Sequence, residues 1–267
     1  KGNKHKVSEK TAVPVNRTRK FIADGGAAHG IFAMLSEPAL VEMMGYAGLD
    51  FVVIDTEHAA STMEQVVQMV RAAELSGVTP IVRVTENSPA LILRALDAGA
   101  GGVLVPQVNT AAEAAAAVRA ARYAPRGERG LAGIVRSAHY GFIPLPAYLT
   151  GSNRENLVIT QVEHIDAVNN LDEILAVEGI DGIFVGPTDL SQSMGMTGKF
   201  ADPGLRRVIH EVIEKTRRTD KWAGIFCLDA DDAAYWRAAG AQFLAIGTDS
   251  MVFAAGLRRL CAQLQGE

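Results

Sequence analysis

The stretch IDGIFVGPTDLSQSMG, Ile180–Gly195, decides how the rest of the chain is read. It opens as an apolar, β-branched run of the length of a buried strand, breaks at Gly186-Pro187, and sets a carboxylate, Asp189, just past the break. Taken alone, Asp189 reads equally well as a cap on a following helix. A second apolar run, LVITQVE at Leu157–Glu163, also ends in an acid, and a single helical segment separates the two runs. Parallel strands joined by one helix are neighbours, so Glu163 and Asp189 are expected to finish on the same edge of a sheet. Two such carboxylates repel, which predicts a cation between them.

Outward from this pair the pattern repeats. Strand-like runs occur at Gly30–Leu35, Phe51–Asp55, Pro80–Val84, Gly102–Pro106, Leu157–Glu163, Gly182–Val185, Ala223–Leu228 and Phe243–Gly247. Each precedes a helical stretch: Glu37–Tyr46, Met63–Leu75, Ala90–Ala98, Ala111–Arg122, Asp166–Val177, Gly204–Arg218, Ala230–Ala239 and Met251–Leu264. Eight strand-helix units predict an α/β fold, a (β/α)8 TIM barrel, with an extra N-terminal helix at Pro14–Asp24. Residues 1–13 begin with a polar, aperiodic stretch and read as a flexible arm, with residues 14–267 forming one barrel domain.

Composition narrows the function. A chain of 267 residues with 48% hydrophobic content can build one large core. A net charge of -4 without a basic stripe argues against nucleic acid and anionic membranes as partners. No apolar run reaches the length of a membrane span, and no signal-peptide pattern is read at the start. Cys227 and Cys261 have neither metal-ligand spacing nor the numbers of a disulfide framework. These features predict a cytoplasmic protein.

Barrels build their active sites from the C-terminal ends of their strands. In this chain those ends carry Asp55-Thr56-Glu57-His58, then Arg83 within PIVRV, then Gln161 and Glu163, then Gly186-Pro187-Thr188-Asp189. An arginine inside an apolar strand is costly unless carboxylates or an anionic ligand satisfy its planar fork. Asp55, three residues before His58, predicts a carboxylate that orients the imidazole as a general base. Glu57 reads as a structural partner of that loop. The connection Tyr123–Asn156 holds Arg126, Arg129, Arg136, His139 and Tyr140 and is unusually long, which predicts a functional loop.

Together these residues resemble the 4-hydroxy-2-oxoheptanedioate aldolase family, the metal-dependent class II pyruvate aldolases of the phosphoenolpyruvate/pyruvate barrel superfamily. The resemblance runs from about Phe21 to Leu264 on DTEH at Asp55–His58, VRV around Arg83, LDAGAGGVLVPQV at Leu96–Val108, RYAPRGERG at Arg122–Gly130, QVE at Gln161–Glu163, and VEGIDGIFVGPTDLSQSMG at Val177–Gly195. It implies that Glu163 and Asp189 ligate a divalent cation, that Arg83 contacts the keto oxygen of pyruvate, and that His58 with Asp55 works as a base through water. It further implies that the backbone at Gly186, Pro187, Thr188 and Asp189 holds the pyruvate carboxylate, that Gln161 lies close to the metal, and that Asp97 stands near a subunit boundary. Family members commonly form hexamers that exchange the last helix. The chain departs from the pattern at Phe32, where many bacterial members have tryptophan, and loosely along Gly130–Gly141. Both departures bear on the aldehyde, for which Arg129, Arg136 and Tyr140 of the long loop are the expected readers.

The chemistry points the same way. Cleaving a 4-hydroxy-2-oxo acid leaves a pyruvate enolate, which needs a lysine Schiff base or a metal as electron sink. Beyond Lys20 the only lysines are Lys199, Lys215 and Lys221, none within a strand or at its C-terminal end. Two carboxylates with substrate oxygens suit Mg, Mn or Co, and the acidic loops LDADD and GTDS argue against a phosphate-bearing substrate. The sequence therefore predicts a class II aldolase acting on pyruvate and an aldehyde. A related lyase, such as a citramalyl- or malyl-coenzyme A lyase or an oxaloacetate decarboxylase, and a non-catalytic barrel binding a metal and an organic acid are the alternatives.

Overall fold

The strands are apolar on both faces, as parallel strands covered by helices must be. In the computed structural model, which describes residues 12–265, they are β1 (Ala28–Ala33), β2 (Phe51–Asp55), β3 (Thr79–Arg83), β4 (Gly102–Val105), β5 (Leu157–Val162), β6 (Gly182–Val185), β7 (Trp222–Cys227) and β8 (Phe243–Thr248). All pair in parallel, in chain order, and β8 closes on β1 to complete the barrel. Side chains alternate between two layers. Phe51, Val53, Ile81, Leu104, Leu157, Ile159, Phe184 and Phe243 fill the interior. Val52, Ile54, Val82, Val103, Val158 and Ile183 meet the helices. Large inward rings need a small neighbour in the same layer, and Gly30, paired with Phe51, leaves that ring the space a Cβ would take.

The helices are α1 (Arg17–Ala23), α2 (Pro38–Tyr46), α3 (Met63–Ser76), α4 (Pro89–Asp97), α5 (Ala111–Ala121), α6 (Leu145–Glu155), α7 (Ile165–Asn169), α8 (Leu171–Leu175), α9 (Pro187–Ser193), α10 (Pro203–Arg217), α11 (Ala230–Ala239) and α12 (Asp249–Gln265). Thr62 with Gln65 and Thr110 with Glu113 form capping boxes that start α3 and α5. The alanine-rich α5 buries Ala114, Ala117, Ala120 and Ala121, so small side chains let it lie close to the barrel.

Several expectations are corrected. The single helix expected over Asp166–Val177 is two short helices, α7 and α8, joined at Asn170. The expected flexible arm lies, for residues 1–11, outside the described residues, whereas Val13 packs against the cluster of Tyr123, Ile143 and Tyr148. The long connection is not a bare loop: it holds a 3₁₀ segment, Arg136–Gly141, and α6. It joins the C-terminal end of α5 to the start of β5, so it covers the N-terminal mouth of the barrel. There Arg136, Ser137 and His139 line a cavity with Thr79, Pro80 and Gly101 at the starts of β3 and β4. The same mouth is tied by Asp181, which accepts from Arg122 Nη2 at 3.1 Å and Val158 N at 2.7 Å and pairs with Arg19 at 2.8 Å.

The last helix, α12, stands apart from this packing. Asp249 is its one buried residue among those described, while Met251, Val252, Phe253, Leu257, Leu260 and Leu264 are exposed.

Candidate active site

Asp55 and Arg83 are the last residues of β2 and β3 and are register partners, so their side chains point into the barrel at the same level. Arg83 Nε donates to Asp55 Oδ1 at 2.9 Å and Nη2 to Oδ2 at 2.6 Å, a fork-on-fork pair in which Asp55 is fully buried. Burial works against the guanidinium's charge, yet its bond to Asp55 and the nearby Glu57 and Glu163 hold its pKa above the usual arginine value. Beneath it lies Phe32, whose ring centroid is 4.9 Å from the guanidinium carbon and which packs in turn on Phe184 and Phe226. Nη1 lies 3.1 Å from Glu57 Oε2 but makes no hydrogen bond there, so this nitrogen's N–H groups stay available.

The expected pairing of Asp55 with the His58 ring is not formed. Asp55 is spent on Arg83 and on the backbone N–H groups of Glu57 (2.9 Å) and His58 (3.4 Å). The carboxylate that faces the imidazole is Glu57, with Oε2 3.9 Å from His58 Nε2. Desolvation raises the Glu57 pKa, Arg83 and His58 lower it, and Asp55 and Asp189 raise it further. The His58 side chain is 61% exposed, free to meet a ligand in the mouth.

Glu163 follows β5 and is almost wholly buried. Its Oε1 accepts from the backbone N–H of Gln107 at 2.8 Å and its Oε2 from Gln161 Nε2. Burial pushes its carboxyl up to about 7; the Gln107 N–H opposes this, Glu57 and Asp189 add to it, and Arg83 counters them. Asp189 stands in the first turn of α9, half-buried, within the field of both acids. Gly186 begins that helix where a Cβ would lie 2.8 Å from Gln161 Nε2 and 2.9 Å from Glu163 Oε2, so a larger residue would displace the acid. Pro187 is half-buried and Thr188 exposed at the rim.

This donor set fits a hard divalent cation. Carboxylate oxygens dominate it, Gln161 Oε1 is buried without a hydrogen-bond partner, and burial raises the Glu163 carboxyl to about 7, so a nearby positive charge would favour its ionised form. Among the described residues no three His, Cys, Asp or Glu side chains gather into a cage, so substrate and water would complete the shell.

Other expected residues lie elsewhere in the chain. Arg129 is buried against Asp97 at 2.7 Å and over the Tyr123 ring. Arg136 binds Glu74 and the carbonyl of Ala98, and Tyr140 is an exposed partner of Arg71. All belong to the N-terminal side, opposite the strand ends that carry Arg83, so within one chain they do not line its site. Gln107 and Phe226 are at the site without having been expected there. An apolar residue inside β7 could have been assigned to the interior by its alternation, whereas a backbone N–H has no sequence signature.

A barrel with this constellation at its C-terminal mouth places the chain among barrel enzymes, and comparison makes the class specific. Residues 28–255 match the family model described as HpcH/HpaI aldolase/citrate lyase, and the chain belongs to this family. It is 34% identical over 255 residues to a hydroxypyruvate/pyruvate aldolase of Pseudomonas aeruginosa, covering 95% of this chain and 94% of the relative. It is 36% identical over 249 residues to a 5-keto-4-deoxy-D-glucarate aldolase of Salmonella arizonae, covering 93% and 96%. The crystal structure of an HpcH/HpaI aldolase/citrate lyase family protein from Burkholderia cenocepacia superposes with a TM-score of 0.89 at 31% identity, covering 94% of this chain and 100% of that one. The relatives are named aldolases, which are carbon-carbon lyases.

Proposed function

We propose that this chain is a divalent-metal-dependent aldolase that reversibly cleaves a 4-hydroxy-2-oxo acid into pyruvate and an aldehyde. The observation that carries the reading is the Arg83 guanidinium, clamped by Asp55 beside the acid pair Glu163 and Asp189 at the mouth of the barrel. Glu163 and Asp189 would hold Mg, Mn or Co, which when bound supplies a Lewis acid for the keto oxygen of pyruvate. Arg83, whose Nη1 lies 3.1 Å from Glu57 Oε2 without a hydrogen bond to it, stabilises the negative charge that grows on that oxygen as the enolate forms. Its clamp and its seat on Phe32 hold it aimed beforehand, so little reorganisation accompanies the reaction. Gln161 and the backbone at Gly186, Pro187 and Thr188 border the place of the pyruvate carboxylate. His58, open to the mouth and faced by Glu57, removes the proton of the C4 hydroxyl during cleavage and returns it during condensation, directly or through one water.

The exposed apolar side chains of α12 support a homo-oligomer in which this helix packs on another copy, with the hexamer implied by the family resemblance as the expected state. Cys227 and Cys261 are both free thiols, which suits a cytoplasmic enzyme. The test is a panel of aldehydes incubated with pyruvate and Mg, Mn or Co, each with and without chelator. Ion-dependent formation of 4-hydroxy-2-oxo acids is expected; turnover undiminished in excess chelator would overturn the metal-dependent reading.

A further inference from the structure

We infer that Gln107 is a positioning residue for Glu163, acting through its backbone N–H and its left-handed main chain and not through its side chain; this rests on Glu163 being a cation ligand, as proposed above. Strand β4 pairs with β5 as far as Val105 and Thr160. Pro106 has no N–H to give, and continued in the same register the N–H of Gln107 would be spent on a backbone carbonyl of β5. The chain instead leaves the ladder: Gln107 takes φ 54°, and its N–H goes to Glu163 Oε1 at 2.8 Å. Positive φ is disfavoured for any side chain with a Cβ and persists only where the surroundings enforce it. Those surroundings are Pro106 and Val108, both buried, while the Gln107 side chain is exposed and forms none of the hydrogen bonds among the described residues. Among the described residues, the other non-glycine residues with positive φ, His139 and Tyr140, lie at the opposite mouth.

With Oε2 taken by Gln161 and Oε1 by Gln107, the plane of the Glu163 carboxylate is fixed from two strands, and each oxygen keeps a lone pair for a cation. Partners of this kind orient metal ligands throughout protein chemistry. The identity of the side chain at 107 should therefore matter little, and its backbone a great deal.

The experiment measures Mn²⁺ affinity of the full chain without pyruvate, by calorimetry or by loss of the free-ion electron paramagnetic resonance signal, with thermal melts as the folding control. Gln107→Gly and Gln107→Asn keep the N–H and tolerate positive φ, so they should bind within about twofold of the parent. Gln107→Val, β-branched, should bind about tenfold more weakly, and Gln107→Pro, which has no N–H, about 10- to 100-fold more weakly. Should the proline variant fail to fold, the glycine and valine pair decides. Parent-like Mn²⁺ affinity in the folded valine variant, or an equal loss in the glycine variant, would overturn the inference, provided Glu163→Gln abolishes binding. Undiminished Mn²⁺ binding by Glu163→Gln would overturn the ligand assignment itself, and this inference with it.

Discussion

Arg83 and Asp55 end neighbouring strands and meet through two parallel hydrogen bonds of 2.9 and 2.6 Å, with the Asp55 carboxylate fully buried. Such a pair holds a guanidinium at fixed orientation, which a lysine cannot reproduce with a single ammonium. Arg83→Lys should therefore stay folded and bind the ion, yet lose on the order of 10² or more in turnover, as loss of one oxyanion donor does. Near-parental rates would reduce Arg83 to a charge balance for the acids.

His58→Ala should leave ion and pyruvate binding intact and lower aldol turnover by about 10² to 10⁴. Because Asp55 is committed to Arg83, Glu57→Gln should change the pH profile of kcat/KM, through the carboxylate that faces the imidazole. A profile identical to the parent's would remove Glu57 from the base.

The raised pKa of Glu163 gives a pH dependence with a definite sign. In the folded chain without ion this carboxyl keeps its proton up to about 7, against an ordinary value of 4.5. Between those values the folded state binds more protons than the unfolded one, so stability falls as pH rises and levels off above about 7. Thermal melts in chelator should show this decline in the parent and a shallower one in Glu163→Gln, and saturating Mn²⁺ should reverse it. Equal slopes in the two proteins would contradict the burial of the acid.

At the opposite mouth, Asp181 pairs with both Arg19 and the buried Arg122, whose own pKa is lowered by burial despite that partner. Asp181→Ala strands a buried charge and should cost about 3–5 kcal/mol of stability, read by denaturant unfolding. A stability loss under about 1 kcal/mol, the range of an exposed pair, would show that water satisfies Arg122.

Much of this was legible in the sequence, for a physical reason. Apolar strands of near-uniform length alternating with capped helices admit few arrangements; Asp55 and Arg83 end their strands, Glu163 directly follows β5, and Asp189 sits in the helix turn after β6, all where a barrel presents its site. Pairing was less legible. Spacing suggested that Asp55 serves His58, but the strand register set it against Arg83 instead, a choice that depends on β3 lying beside β2. The long connection drew attention by its length and charge, whereas its place follows from chain direction: a segment running from a helix to the next strand reaches the N-terminal mouth. Gln107 stayed hidden because its contribution is a main-chain N–H turned by a positive φ.

The helix α12 offers a separate check. Leu257→Asp with Leu260→Asp places charge on its exposed apolar side without touching its barrel contacts. Light scattering should show a smaller assembly than the parent's; an unchanged mass would assign the association to another surface.

The most direct test of the central claim is exchange of the pyruvate methyl protons in D₂O, followed by proton NMR with no aldehyde present. Enolate formation alone incorporates deuterium, so the signal reports on Arg83, Glu163 and Asp189 independently of the aldehyde. The expected result is exchange that requires Mg, Mn or Co, stops in chelator, and is lost in Glu163→Gln and Asp189→Asn while both remain folded. Exchange that proceeds at full rate in chelator, or in either variant, would contradict a metal-stabilised enolate at this site.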